Sequence, residues 1–181
     1  MKTLVLFYSR TGSNKYLAER IATELKADME EIHPNLAGLL FVIFSSLLRF
    51  GLGNKPFRSS IDKYERVVVV GPIYMGTLIF PLRNALKKIP SSVNQVCFAT
   101  SCGGGDEEKD SNFGYTSVFV EAKKAVKHAD VITEAFPIKL VVPKDKWDDG
   151  DFVMKTRLND SNFEGEIYAR FQSFIQKIKS A

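Results

Sequence analysis

Thr3-Leu4-Val5-Leu6-Phe7-Tyr8-Ser9-Arg10-Thr11-Gly12-Ser13-Asn14 decides how the rest of the chain is read. Its first six residues are almost unbroken in apolar side chains, which marks a strand buried on both faces rather than one alternating between core and water. The next six hold three hydroxyls, a glycine and an amide, the chemistry of a tight turn leading into a helix start. Leu17, Ile21 and Leu25 then recur every four residues, as on the buried stripe of a helix. Strand, short polar loop and amphipathic helix open a βα unit, and such units build parallel sheets with helices on both faces.

The same order recurs downstream. Arg66–Val70 and Val96–Thr100 are again nearly continuous apolar runs, Val131–Leu140 is a fourth strand, and Asp28–His33 suits a short edge strand. Leu82, Ala85, Leu86 and Ile89 mark a helix that starts at Pro81 and stops before Pro90. Val118, Ala122, Ala125, Val126 and Ala129 give a third helix, and Ile167, Phe171, Phe174, Ile175 and Ile178 a C-terminal one. The expected fold is α/β: one doubly wound domain over residues 1–181, with a parallel sheet between two helical layers.

Two segments break the alternation. Residues 34–60 carry the apolar run Leu36–Phe50 and the stop Gly51-Leu52-Gly53, and are expected to supply the second crossover helix. That helix is apolar nearly all round, more than one face on a sheet requires. The plain expectation buries its remaining surface under the adjacent loop; the sharper one makes it a homodimer contact or a docking surface for a membrane or a lipophilic quinone. Residues 143–161, with Trp147-Asp148-Asp149-Gly150, read as a long polar surface loop before the last helix, of the length that often carries function.

Composition narrows the class. Hydrophobic residues make up 45% and charged residues 25%, ordinary for a folded globular chain. The formal charge of +4 favours anionic partners mildly, but Lys and Arg are spread along the chain, so nucleic acid is not expected. The N-terminal run is too short for a secretory signal, and Leu36–Leu48 falls short of the roughly 20 apolar residues that span a bilayer. Cys97 and Cys102 on one strand would lie roughly 16 Å apart at about 3.3 Å per residue, beyond bridging distance, so reduced thiols in a cytoplasm are expected. Two cysteines with the scattered His33 and His128 give no zinc spacing, and no nucleophile elbow occurs.

In an open α/β sheet ligands bind beyond the carboxyl ends of the strands, and three loops there have unusual sequences. Ser9–Asn14 offers hydroxyls, free amides and a helix N-terminus to a phosphate, without the Gly-Lys-Ser/Thr ending of a nucleotide triphosphate loop or the three spaced glycines of a dinucleotide fold. Gly71-Pro72-Ile73-Tyr74-Met75-Gly76-Thr77 suits a flat ring that needs stacking and backbone hydrogen bonds. Ser101-Cys102-Gly103-Gly104-Gly105-Asp106 marks close backbone approach or mobility. Taken singly, each has a plainer reading: a capped helix, a tyrosine closing the core, a flexible connection. Cys102 by itself reads as an inert small residue.

Together the three loops resemble those of flavodoxin-like FMN-binding proteins. Tyr8–Asn14 looks like the flavodoxin phosphate loop, Gly71–Gly76 with Pro81 resembles the first flavin-ring loop, and Thr100–Gly104 the second. The likeness spans nearly the whole chain and is strongest to short-chain members with a glycine-rich second loop. It implies a flavodoxin-like sandwich with a five-stranded sheet of order 2-1-3-4-5, and FMN as cofactor. Ser9, Arg10, Thr11, Gly12, Ser13 and Asn14 would lie at the phosphate. Pro72, Ile73, Tyr74, Met75 and Gly76 would lie along the ring, and Ser101, Cys102, Gly103, Gly104 and Gly105 would cover its other side. Many flavodoxins end the phosphate loop in Thr where this chain has Asn14, and electron carriers are usually acidic with an aromatic in the second ring loop. A basic chain with a glycine-rich loop implies an open flavin face and contact with a small acceptor such as a quinone, with NAD(P)H as a possible donor. Electron transfer to a redox partner protein is the competing use, and a flavin-free phosphate-binding or interaction module on the same fold is the competing class.

Overall fold

The computed structural model describes all residues from Met1 to Ala181. The apolar run at the N-terminus forms β1 (Thr3–Phe7), paired on both sides and buried at every residue. The chain continues through α1 (Ser13–Leu25), β2 (Asp28–Glu31), α2 (Leu39–Leu47) and β3 (Arg66–Val70). A small antiparallel hairpin follows, β4 (Ile73–Tyr74) and β5 (Thr77–Leu78), then α3 (Phe80–Lys87), β6 (Gln95–Cys102) and α4 (Thr116–Ala125). The last elements are β7 (Val131–Pro137), a short α5 (Gly150–Lys155) and α6 (Gly165–Ser180). The main sheet is parallel throughout, in the order β2-β1-β3-β6-β7. Setting the hairpin aside, this is the expected 2-1-3-4-5 order, and the fold is flavodoxin-like.

The strand pleat sends alternate residues to opposite faces, so one continuous apolar run feeds two cores. Leu4, Leu6, Val67, Val69, Val96 and Phe98 pack with Leu82 and Leu86 of α3 and Val118 and Ala122 of α4. Val5, Phe7, Val68, Val70, Cys97 and Ala99 pack with Leu17 and Ile21 of α1 and Ile167, Phe171 and Phe174 of α6. Both cysteines are free and buried on β6, as their spacing along one strand requires.

Three expectations are corrected. The strand expected over Val131–Leu140 ends at Pro137, because its neighbour β6 ends at Cys102 and Ile138–Val141 turns as a 3-10 helix. Residues 143–161 are not simply a polar surface loop. Asp149 caps α5 by accepting from the Phe152 amide at 3.0 Å, and Val153 and Leu158 are buried in the α1/α6 core. The helix expected over Leu36–Phe50 is shorter, and its outer surface is not covered by the adjacent loop: Leu40, Phe44, Leu47 and Leu48 stand exposed.

Candidate functional site

β1 delivers the first loop to the sheet edge. The Gly12 amide donates to the Ser9 hydroxyl at 3.2 Å, and Gly12 itself takes a left-handed backbone, φ 102°, that turns the chain into α1. The amides of Ser13, Asn14 and Lys15 stand in the first turn, where no preceding carbonyl accepts from them, and no acidic residue occupies that turn. The site is therefore electropositive from the backbone alone. Two guanidinium groups add to it: Arg10, whose Nη1 donates to the Ala37 carbonyl at 3.2 Å, and Arg157, whose Nη1 donates to the Met154 and Thr156 carbonyls at 2.6 and 2.8 Å.

Asn14 has a task different from the expected one. Its Nδ2 donates to the Ser101 carbonyl at 3.2 Å, and its Oδ1 accepts from the Ser101 amide at 2.8 Å. The side chain clamps the first loop to the end of β6, which leaves its backbone N–H for an anion. The Ser13 hydroxyl accepts from the Leu158 amide at 3.2 Å, tying residues 143–161 to the same loop while its own proton stays free to donate.

The second loop is the β4–β5 hairpin, whose two turn residues, Met75 and Gly76, both have positive φ, 50° and 63°. That is the turn whose twist matches a two-residue hairpin. Gly76 is required there, since a Cβ would sit 2.1 Å from the Asn112 carbonyl oxygen. Tyr74 is half-buried, and burial, with Tyr8 beside it, pushes its phenol up to about 12, so it stays neutral and able to donate.

The third loop continues β6. None of Gly103, Gly104 and Gly105 has a left-handed backbone, so the run is not demanded by the turn. A Cβ at Gly103 would meet only the Met154 sulfur at 3.5 Å, while at Gly104 and Gly105 it would meet the Glu108 and Glu107 carboxylates at 2.9 and 2.1 Å, so the run gives a bare backbone floor and makes room for the acids that follow it. The loop is anchored by Asp106, which takes a two-pronged ion pair from Arg170 and a hydrogen bond from the Tyr115 hydroxyl. The Arg170 guanidinium holds the Asp106 carboxyl below its ordinary range. Lys139 engages Glu107 at 2.7 Å and Glu108 at 3.1 Å, so the acids following the glycine run are paired. Burial pushes the Cys102 thiol up to about 12, which makes it inert.

These loops enclose two adjoining hollows. The first, of about 150 Å3, is lined by Arg10, Thr11, Ser13, Asn14, Ser101 and Arg157 among others. The second, of about 340 Å3, lies between Ile73–Met75 and Cys102–Gly105, with Ile43, Phe113 and Tyr115. They share Ile73, Tyr74, Cys102, Gly103 and Met154. Ser101 lines the first hollow, and its buried hydroxyl has no partner. A buried polar atom without a partner at the wall of a cleft is what a polar ligand would satisfy. Of the residues singled out from sequence, Ser9, Gly12 and Gly76 line neither hollow: the Ser9 hydroxyl holds the Gly12 amide, and the two glycines shape the backbone turns. Ile43, Phe113, Met154 and Arg157 were not singled out, although the length of residues 143–161 signalled that segment.

No protein-family profile and no curated protein sequence matches the chain. Solved structures do. A flavoprotein from Lactobacillus acidophilus NCFM in complex with FMN superposes with a TM-score of 0.60 at 20% identity, covering 81% of this chain and 97% of that one. The apo form of the Lactobacillus acidophilus flavoprotein gives 0.57 at 19%, over 81% and 96%. The flavodoxin of Streptococcus pneumonia TIGR4 gives 0.55 at 14%, over 99% of both chains. The likeness is one of fold.

Proposed function

We propose that this chain binds one FMN at the carboxyl edge of its sheet and works as a flavin redox protein that reduces a small acceptor such as a quinone. The observation that supports it is one cleft with two chemistries: a cationic, amide-lined end beside α1, and an apolar, glycine-floored end beside the β4–β5 hairpin. A phosphomonoester carries close to two negative charges at neutral pH, and the first end offers it α1's leading amides, the Thr11 and Ser13 hydroxyls, Arg10 and Arg157. Ser101 offers its unpartnered hydroxyl to the polar chain that follows. Tyr74 presents an aromatic neighbour to the ring, and the glycine floor presents backbone donors close to it. The similar flavoprotein in complex with FMN and the similar flavodoxin support the same reading.

FMN supplies the electron or hydride chemistry when bound. The α1 amides with Arg10 and Arg157 would hold the phosphate, and the hairpin and glycine loop would hold the ring; Glu108, which lines the ring-side hollow, is ion-paired with Lys139. Exposed Met75, Phe113 and Met154 at the mouth favour an apolar acceptor over a charged one.

The test is the visible spectrum of the purified protein, mass analysis of the released ligand, and fluorescence titration of the apoprotein with FMN. Yellow protein releasing FMN is expected; colourless protein that leaves FMN fluorescence unquenched would return the chain to the flavin-free modules. Turnover of NADH or NADPH with a quinone, with no partner protein present, separates acceptor reduction from electron carriage.

A further inference from the structure

Eight of the sixteen large apolar side chains that stand exposed lie between Leu36 and Leu52. Within them α2 is built inside out. Its inward stripe is Val42, Ser45 and Ser46, all buried, while Leu40, Phe44 and Leu47 face outward and Leu48 extends them. The serines have structural reasons to be inside. Ser45 donates to the Phe41 carbonyl, and Ser46 donates to the Val42 carbonyl while accepting the Phe80 amide at 2.9 Å. Nothing in the fold uses the outward stripe: Leu40 is 69%, Phe44 60% and Leu48 71% exposed.

The ground beside this stripe is basic. Arg49, Arg83, Lys87 and Lys124 line a groove of about 300 Å3 between the end of α2, α3 and α4, with Glu121 its one acid. Arg49 meets Glu121 at 3.3 Å, which leaves Arg83, Lys87 and Lys124 with no acidic partner. Residues 34–60 contain Arg49, Lys55 and Arg58 and no acid at all.

We propose that this face docks on a bilayer containing anionic lipid. Leu40, Phe44, Leu47 and Leu48 enter the interface, and Arg49, Lys87 and Lys124 meet the headgroups. No helix is long and apolar enough to cross a membrane, so α2 lies in the plane of the surface. A second copy of the chain fits worse, because a two-fold contact centred on α2 sets the same cationic rim against itself. Ile43 of the same helix lines the ring-side hollow with Met75 and Phe113, so docking holds the mouth of that hollow at the lipid surface, where a quinone partitions. The quinone rests on the flavin reading; the docking does not.

The experiment is co-sedimentation of the full chain, measured as protein mass, with phosphatidylcholine vesicles with and without phosphatidylglycerol. The chain is expected in the pellet with anionic vesicles and released by high salt. Phe44→Ser with Leu48→Ser lowers partitioning at least about tenfold. Each cation near an anionic surface is worth about fivefold, so Lys87→Ala with Lys124→Ala lowers it roughly 25-fold. Melting temperatures of both variants match the wild type. Wild-type protein left in the supernatant with anionic vesicles overturns the proposal, as does undiminished binding by the Phe44/Leu48 variant. A wild-type dimer that Phe44→Ser dissociates, with no vesicle binding, overturns it in favour of a second copy. Flavin absorption, read separately on the same samples, reports on the redox reading alone.

Discussion

α1 and α2 are the first two crossover helices, and they end alike. α1 stops at Lys26 in the left-handed conformation, φ 50°, with the Lys26 and Ala27 amides reaching back to Thr23 and Ala22. α2 stops at Arg49, φ 56°, with Arg49 and Phe50 reaching back to Ser46 and Ser45. This is the same C-terminal cap, used twice. Their sides are opposite. α1 buries Leu17, Ala18, Ile21 and Ala22 and shows Lys15, Glu19, Arg20 and Thr23 to water; α2 buries Val42 and two serines and shows Leu40, Phe44 and Leu47. Periodicity tells which residues share a side of a helix. It does not tell which side meets the protein when both sides have a reason to be apolar or to be buried.

The contrast breaks most sharply at apolar positions. Ile21→Ala in α1 is expected to lose about 2–5 kcal/mol of unfolding free energy, from lost burial and a residual cavity. Phe44→Ala in α2 is expected within about 0.5 kcal/mol of the wild type. Urea unfolding of the two variants checks both, and a comparable loss at Phe44 would show that the outer stripe is packed after all.

Hydroxyl positions invert the ranking. Thr23 of α1 donates to the Glu19 carbonyl at the surface, whereas Ser46 of α2 also receives the buried Phe80 amide. Ser46→Ala leaves that amide unpaired and is expected to cost about 1–3 kcal/mol, against a few tenths for Thr23→Ala, by the same denaturation measurement. Equal effects would mean that water replaces the lost partner.

The helix starts differ in backbone conformation. Gly12 at the head of α1 has φ 102°, while Gly38 at the head of α2 has φ −58°, where a Cβ meets only Phe41 Cβ at 3.9 Å. Gly12→Ala is expected to destabilise by about 1–3 kcal/mol and, on the flavin reading proposed above, to raise the FMN dissociation constant, since the strain lies in the Ser9–Asn14 loop. Gly38→Ala is expected to be neutral or to stabilise by up to about 1 kcal/mol. Calorimetry for stability and fluorescence titration for FMN separate the two.

The smallest effects come from the shared caps. Lys26→Gly and Arg49→Gly each relieve a left-handed non-glycine residue and are expected to add up to about 1 kcal/mol. Only Arg49→Gly should weaken sedimentation with anionic vesicles, because Lys26 lies away from the basic groove.

Much of the candidate cleft's lining was legible because strand ends carry their own chemistry. Ser9–Asn14, Pro72–Gly76 and Ser101–Gly105 follow buried strands, and parallel strands set all three loops on one edge of the sheet. Side-chain commitments within those loops were not legible. Asn14 fastens the first loop to Ser101 across 87 residues of sequence, a pairing that no local pattern records. Arg157, Met154 and Ile43 reach the cleft from segments whose approach depends on α5 and α2 packing.

The sequence by itself determined the five strands of the main sheet, the end of the last one apart, the helices between them and the three loops at its carboxyl edge, since these follow from periodicity and turn chemistry within a few residues; the β4–β5 hairpin and α5 did not show in it. Only the tertiary structure decided what each helix does with its second side. α1 and α6 share the core on one face of the sheet, with α1's charged side left to water. α2 packs on α3 and the β4–β5 hairpin through Val42, Phe41, Ser45 and Ser46, with Ser46 capping the Phe80 amide. Its outward Leu40, Phe44 and Leu47 are left over from folding, free for another surface.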